Sequence, residues 1–146
     1  MSFTYNQIIK EIETIAMSNP FIKRFGSGEI SDIETEGPAS ELYPVCWAVP
    51  QLAEVGENDL VYTLRLLVFD IDDTDDSKQQ EILSDTLSTL TDIIKRFRYF
   101  NDAYTLEGRP TCMPFTHRFV DYNTGWWADL RITTEFDNSE CDIPEE

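Results

Sequence analysis

Apolar residues recur at two spacings along this chain, and the two spacings mark out its elements. Between Tyr5 and Met17, the residues Ile8, Ile9, Ile12, Ile15 and Ala16 follow the helical period and predict one amphipathic helix whose stripe is core. Thr4 and Gln7 stand at capping-box spacing before it, and Ser18-Asn19-Pro20 ends it. A longer stripe, Ile82, Leu83, Thr86, Leu87, Leu90, Ile93, Ile94 and Phe97, predicts a second helix over Lys78 to Tyr99. Ser77 with Gln80 makes a second capping box. Asp75 and Asp76 lie at the positive start of that helix, and Lys95, Arg96 and Arg98 at its negative end, so the helix dipole accounts for the basic cluster.

Elsewhere the period is two. Arg24 to Thr35 reads as a first strand weakened by Gly26 and Gly28. Leu42 to Val49 reads as a second, with Tyr43, Val45, Trp47 and Val49 on one face and Pro44 suggesting an edge or a bulge. Pro50 to Asp59 is expected to be a loop. Leu60 to Phe69 is apolar on both faces, which places it inside a sheet covered on two sides. Met113 to Val120 and Trp126 to Phe136 are expected to form an antiparallel hairpin, with Asn123-Thr124-Gly125 as its loop. Helix, strands, long helix and strands in that order predict a single α+β domain over residues 1–136. Its antiparallel or mixed sheet of four to five strands is packed by two helices, and residues 137–146 form an acidic tail.

Charge changes the picture. The 28 acidic residues against 11 basic ones leave a net charge of −17 across 146 residues. Such a surface repels nucleic-acid phosphates and anionic lipid, so general nucleic-acid binding is excluded. No apolar run is long enough to span a membrane, and Met1 to Lys10 has no signal-peptide pattern. Cys46, Cys112 and Cys141 are odd in number and lack CxxC spacing, which argues against a disulfide framework and a zinc ribbon. His117 is the single histidine and reads as structural in an apolar strand face; Cys46 and Cys112 read as small strand residues.

One segment carries candidate chemistry. Phe69-Asp70-Ile71-Asp72-Asp73-Thr74 spells the first motif of haloacid-dehalogenase-type phosphatases, in which the first aspartate is the nucleophile and the second the acid/base, with magnesium. That chemistry needs a parallel doubly wound sheet, and the remaining chain ends in a hairpin instead. Asp70, Asp72, Thr74, Asp76 and Glu81 also stand at calcium-loop positions, but Asp75 occupies the position that requires glycine. Neither pattern is completed, so no catalytic residue, metal site or cofactor is expected.

Trp126 and Trp127 point to opposite faces of a strand. Trp126 can enter the core; Trp127 shares its face with Asp129, Arg131, Thr133 and Glu135, the setting either of an interface anchor or of a tryptophan covered by a helix or loop of its own chain.

The layout of N-terminal helix, Tyr43-Pro44 strand, long strand ending at Asp70, long amphipathic helix and a hairpin carrying Gly125-Trp126 resembles that of the tail-terminator and head-to-tail connector proteins of tailed bacteriophages. The ending Asn138-Ser139-Glu140-Cys141-Asp142-Ile143-Pro144 is similar to their C-termini in phages of Bacteroidetes hosts, crAss-like phages included. The resemblance implies a non-enzymatic virion protein assembled in the host cytoplasm. It forms a closed six- or twelve-fold ring beside portal, connector or tail proteins, and DNA passes through the lumen without specific binding. On this expectation Trp127, Arg131, Cys141 and Ile143 are interface candidates. Asp70, Asp72, Asp73, Asp75 and Asp76 form an acidic lumen or partner surface. A small magnesium phosphatase using Asp70 and Asp72, or an acidic module that meets a basic protein, are the alternatives.

Overall fold

Helix α1 covers Tyr5–Met17, the span its isoleucine stripe predicts, in a computed structural model that describes residues 4–29, 43–71, 78–116 and 123–135. Its capping box is formed: the Gln7 backbone N–H donates to Thr4 Oγ1, and Gln7 Oε1 accepts from the Thr4 N–H at 2.8 Å. Strands β1 (Arg24–Ser27), β2 (Val45–Val55) and β3 (Asp59–Ile71) follow. Helix α2 (Gln79–Phe100) and strands β4 (Tyr104–Leu106), β5 (Cys112–Thr116) and β6 (Asn123–Glu135) complete the order. The sheet runs β1-β2-β3-β6-β4, with β5 also pairing to β6. β1 and β2 are parallel and every other pair is antiparallel, so the sheet is mixed and the fold is α+β.

Both helices pack on one face of the sheet. Ile8, Ile12, Ile15 and Ala16 of α1 and Leu90, Ile93, Ile94 and Phe97 of α2 meet Cys46 and Ala48 of β2, Leu64, Leu66 and Val68 of β3, and Ala128, Leu130 and Ile132 of β6. Trp126 turns into this layer and donates its indole N–H to the Leu83 carbonyl at 2.8 Å, which ties α2 to β6. The opposite face holds a second cluster of Tyr43, Val45, Trp47, Val49, Leu67, Phe69 and Phe115. β3 therefore carries apolar side chains to both faces, as its composition requires.

Several expectations change. The sheet has six strands; the extra one, β4, is three residues long, too short for a period to reveal. Pro50 to Asp59 is not a loop: β2 runs on to Val55 and β3 begins at Asp59. The register shifts between Pro50 and Leu52, a bulge that accommodates a proline without a ladder donor. Asn123-Thr124-Gly125 is not a turn. These residues pair with Ile71, Asp70 and Phe69 of β3, and Thr124 and Gly125 also with β5. A Cβ on Gly125 would stand 2.1 Å from the Val68 carbonyl oxygen, so the glycine serves a close strand approach and not a left-handed bend.

The first predicted strand ends at Ser27, and its remainder from residue 30 lies outside the described residues. So do Ser77, His117 and residues 137–146. α2 begins after Lys78, whose side chain makes no capping hydrogen bond. The basic end of α2 does more than answer a dipole. Arg98 donates to the Leu106 and Gly108 carbonyls at 3.0 and 2.7 Å, and Arg96 donates to Ser18 Oγ at 2.8 Å, so these cations fasten α2 to β4 and α1.

Candidate interaction surface

The face of the sheet away from the helices divides along its strands. Val45, Phe69 and Gly125 stand in register at one end, and Trp47, Leu67 and Trp127 one step along. Next come Val49, Arg65 and Asp129, then Leu52, Thr63 and Arg131, then Glu54, Val61 and Thr133. One half is an apolar cluster and the other a belt of ion pairs, with Trp127 at the boundary.

Cross-strand geometry sets the belt. Arg65 and Asp129 face each other across β3 and β6, and the guanidinium makes two bonds to the carboxylate, at 2.9 and 3.2 Å. The same guanidinium lies 3.8 Å above the Trp127 ring, where the cation and the ring's negative face attract. Trp127 is half-buried beneath it and packs on the second cluster. Arg131 joins Glu54 of β2 at 2.5 Å and Glu107, which follows β4, at 3.0 Å. The Thr133 hydroxyl donates to the other Glu107 oxygen. Glu107 is consequently held below the usual carboxylate range, first by the Thr133 hydroxyl and then, against partial desolvation, by Arg131. Arg131 is pushed up by its bonds to Glu54 and Glu107.

Beside the belt a groove of about 400 Å³ opens between the segment after β4 and strands β5 and β6. It is lined by Glu107, Arg109, Pro110, Thr111, Met113, Trp127 and Asp129. Met113, which pairs with Trp127 across β5 and β6, is 45% exposed. Glu107 and Asp129 are spent on Arg131 and Arg65, whereas Arg109 is exposed and makes no ion pair among the described residues. An apolar floor beside the exposed Arg109 suits an apolar, acidic segment better than a small polar substrate.

Of the expected interface residues, the structure brings Trp127 and Arg131 onto this one face; Cys141 and Ile143 lie outside the described residues. Met113, Pro110 and Arg109 were not foreseen. Their sequence neighbourhood is short and irregular, and only the pairing of Met113 with Trp127 in β5 and β6 brings them there. Asp70 is half-buried at the end of β3, where its Oδ1 accepts the Ile71 N–H at 2.8 Å; Asp72, Asp73, Asp75 and Asp76 lie outside the described residues. The strand that carries Asp70 is flanked by antiparallel β2 and β6, so the parallel sheet that the phosphatase motif needs is not formed around it. Among the described residues, no three His, Cys, Asp or Glu side chains gather as a metal site, and no helix is long and apolar enough to cross a membrane. Burial pushes the Cys46 thiol far up and the half-buried Cys112 thiol up as well, which disfavours a reactive thiolate at either.

The chain matches no family model and no curated protein.

Proposed function

We propose that this protein is a structural component of a phage virion, a tail-terminator or connector whose copies close into a ring between head and tail. The observation that carries the reading is the groove beside Trp127, where Met113 and Arg109 are presented next to the belt of ion pairs. A rigid sheet with helices on one side is a suitable wall for such a ring. Its partners are further copies of itself and the adjoining portal, connector or tail proteins.

The acidity has a use in that setting. A lumen lined by carboxylates lacks the cations whose phosphate contacts would hold DNA, so the duplex passes without anchoring. We assign that role to Asp70, within the end of β3, and to the aspartates at positions 72, 73, 75 and 76, which follow it in the sequence.

Electron microscopy of the purified chain, alone and with its neighbouring virion proteins, tests the reading. Closed rings are expected, with Trp127→Ala and the surface change Met113→Asp both weakening them while circular dichroism stays native. A chain that remains monomeric with all of its virion neighbours, yet binds a basic protein tightly and in a salt-sensitive way, would overturn it in favour of an acidic binding module.

A further inference from the structure

The β2–β3 hairpin is the most exposed part of the described sheet. Every residue from Pro50 to Asn58 is exposed, with Leu52 at 55% and Val55 at 78%. Leu52 and Val55 are therefore exposed apolar residues of β2, carried out towards the turn around Gly56. The hairpin is not loose at its root: β2 and β3 keep register from Leu52–Thr63 to Val55–Leu60, and the Gly56 N–H donates to the Asp59 carbonyl at 2.9 Å.

Charge at the tip has one sign. Glu54, Glu57 and Asp59 are its ionisable residues. Glu54 is engaged by Arg131, whereas the Glu57 and Asp59 carboxylates make no ion pair among the described residues. The tip thus offers an exposed valine with the exposed Glu57 and the half-buried Asp59 beyond it in the turn. The groove beside Trp127 offers the complement: an apolar floor of Trp127, Met113 and Pro110, and the exposed cation of Arg109.

Val55 and the Trp127 floor cannot meet within one chain, although Glu54 reaches the groove wall through Arg131 and Glu107. Leu60, opposite Val55, and Leu67, opposite Trp127, are seven residues apart on β3, or ~23 Å at about 3.3 Å per residue. The matched surfaces also lie on different strands, so a tip in one copy can only enter the groove of another. Each copy then gives a tip and receives one, either reciprocally about a two-fold axis or head to tail until the rotation closes, and the ring reading selects the second.

We infer that a second copy of this chain is the occupant of the Trp127 groove, and that it enters by its β2–β3 hairpin tip. Val55 covers Met113 and Trp127, and Glu57 or Asp59 pairs with Arg109. The inference rests on the ring reading and specifies the contact within it.

Charge reversal tests the pairing on the full chain. Arg109→Glu and the double change Glu57→Lys with Asp59→Lys should each weaken assembly at least tenfold, read as the shift in assembly midpoint by sedimentation velocity. Arg109 and Glu57 are exposed and Asp59 is half-buried at the turn, so the fold should survive, and circular dichroism verifies it. One chain carrying the three reversals together should recover to within about threefold of wild type, since the pair is restored with its signs exchanged. Val55→Asp should weaken assembly without rescue from that reversal. Rings that persist unchanged with Arg109→Glu and with Val55→Asp overturn this contact and leave the ring reading standing. A reversed combination no better than either parent likewise overturns the contact. A wild-type chain that never assembles overturns both.

Discussion

Gly125 and Gly108 show how the same residue type answers two different demands. A Cβ at Gly125 would press to 2.6 Å from the Phe69 Cα as well as against the Val68 carbonyl, and neither backbone atom can swing away. Gly125→Ala should cost about 3 kcal/mol, or prevent folding, measured by urea unfolding. Gly108 has a φ of 66° with open space around it, so Gly108→Ala should lose only about 1 kcal/mol, the cost of a left-handed alanine. Glu107 makes a pH-dependent contribution. Its folded carboxyl lies below the ordinary value of 4.5, so the stabilisation is present above that pH and lost as pH falls through the folded value. Wild type should therefore exceed Glu107→Gln in stability at neutral pH, and the difference should shrink below pH 4.5, as followed by thermal unfolding across an acid series. Of these features, the sequence shows only that glycines and a glutamate are present. Their roles arise from strand neighbours far away along the chain.

Among the elements, the two helices were the most legible. Their apolar stripes extend over many turns, and burial on a sheet follows the same period, so local pattern and tertiary packing agree. The strands were legible in their interiors and not at their ends. Pro50 was read as a stop, yet a bulge absorbs it and β2 continues for five residues. Asn123-Thr124-Gly125 has turn chemistry, but three buried residues paired to β3 outweigh that preference. Trp126 is the link between element types, since its indole bond to Leu83 joins the last strand to the long helix. Trp126→Phe should cost about 1 kcal/mol from that bond, with a matching fall in the urea midpoint. Leu90→Ala, in the fully buried middle of α2, should cost 2–5 kcal/mol, a range set by the cavity it leaves.

At the scale of the whole molecule, charge and shape oppose each other. A net charge of −17 repels copies of the chain at long range, whereas the proposed tip-to-groove contact acts at short range through apolar burial and one close pair. The screening length falls from about 30 Å at 0.01 M salt to about 8 Å at 0.15 M, so moderate salt should relieve the repulsion more than it weakens the contact. Assembly should accordingly increase over that interval in sedimentation velocity; a steady decrease from the lowest salt would mean that ion pairing dominates the interface.

By itself the sequence determined the two helices, the doubly apolar central strand, the α+β class and the opposite facing of Trp126 and Trp127. These follow from periodicity, because one side chain in two or in 3.6 must meet a core. Only the tertiary structure decided what shares a surface. Arg65 reaches the Trp127 ring, Arg131 bridges Glu54 and Glu107, and Met113 lies beside Trp127 because antiparallel register aligns residues that no local pattern relates. Cross-strand contact depends on which strands become neighbours, and the order β1-β2-β3-β6-β4 is set by long-range packing rather than by the order in which the chain is written.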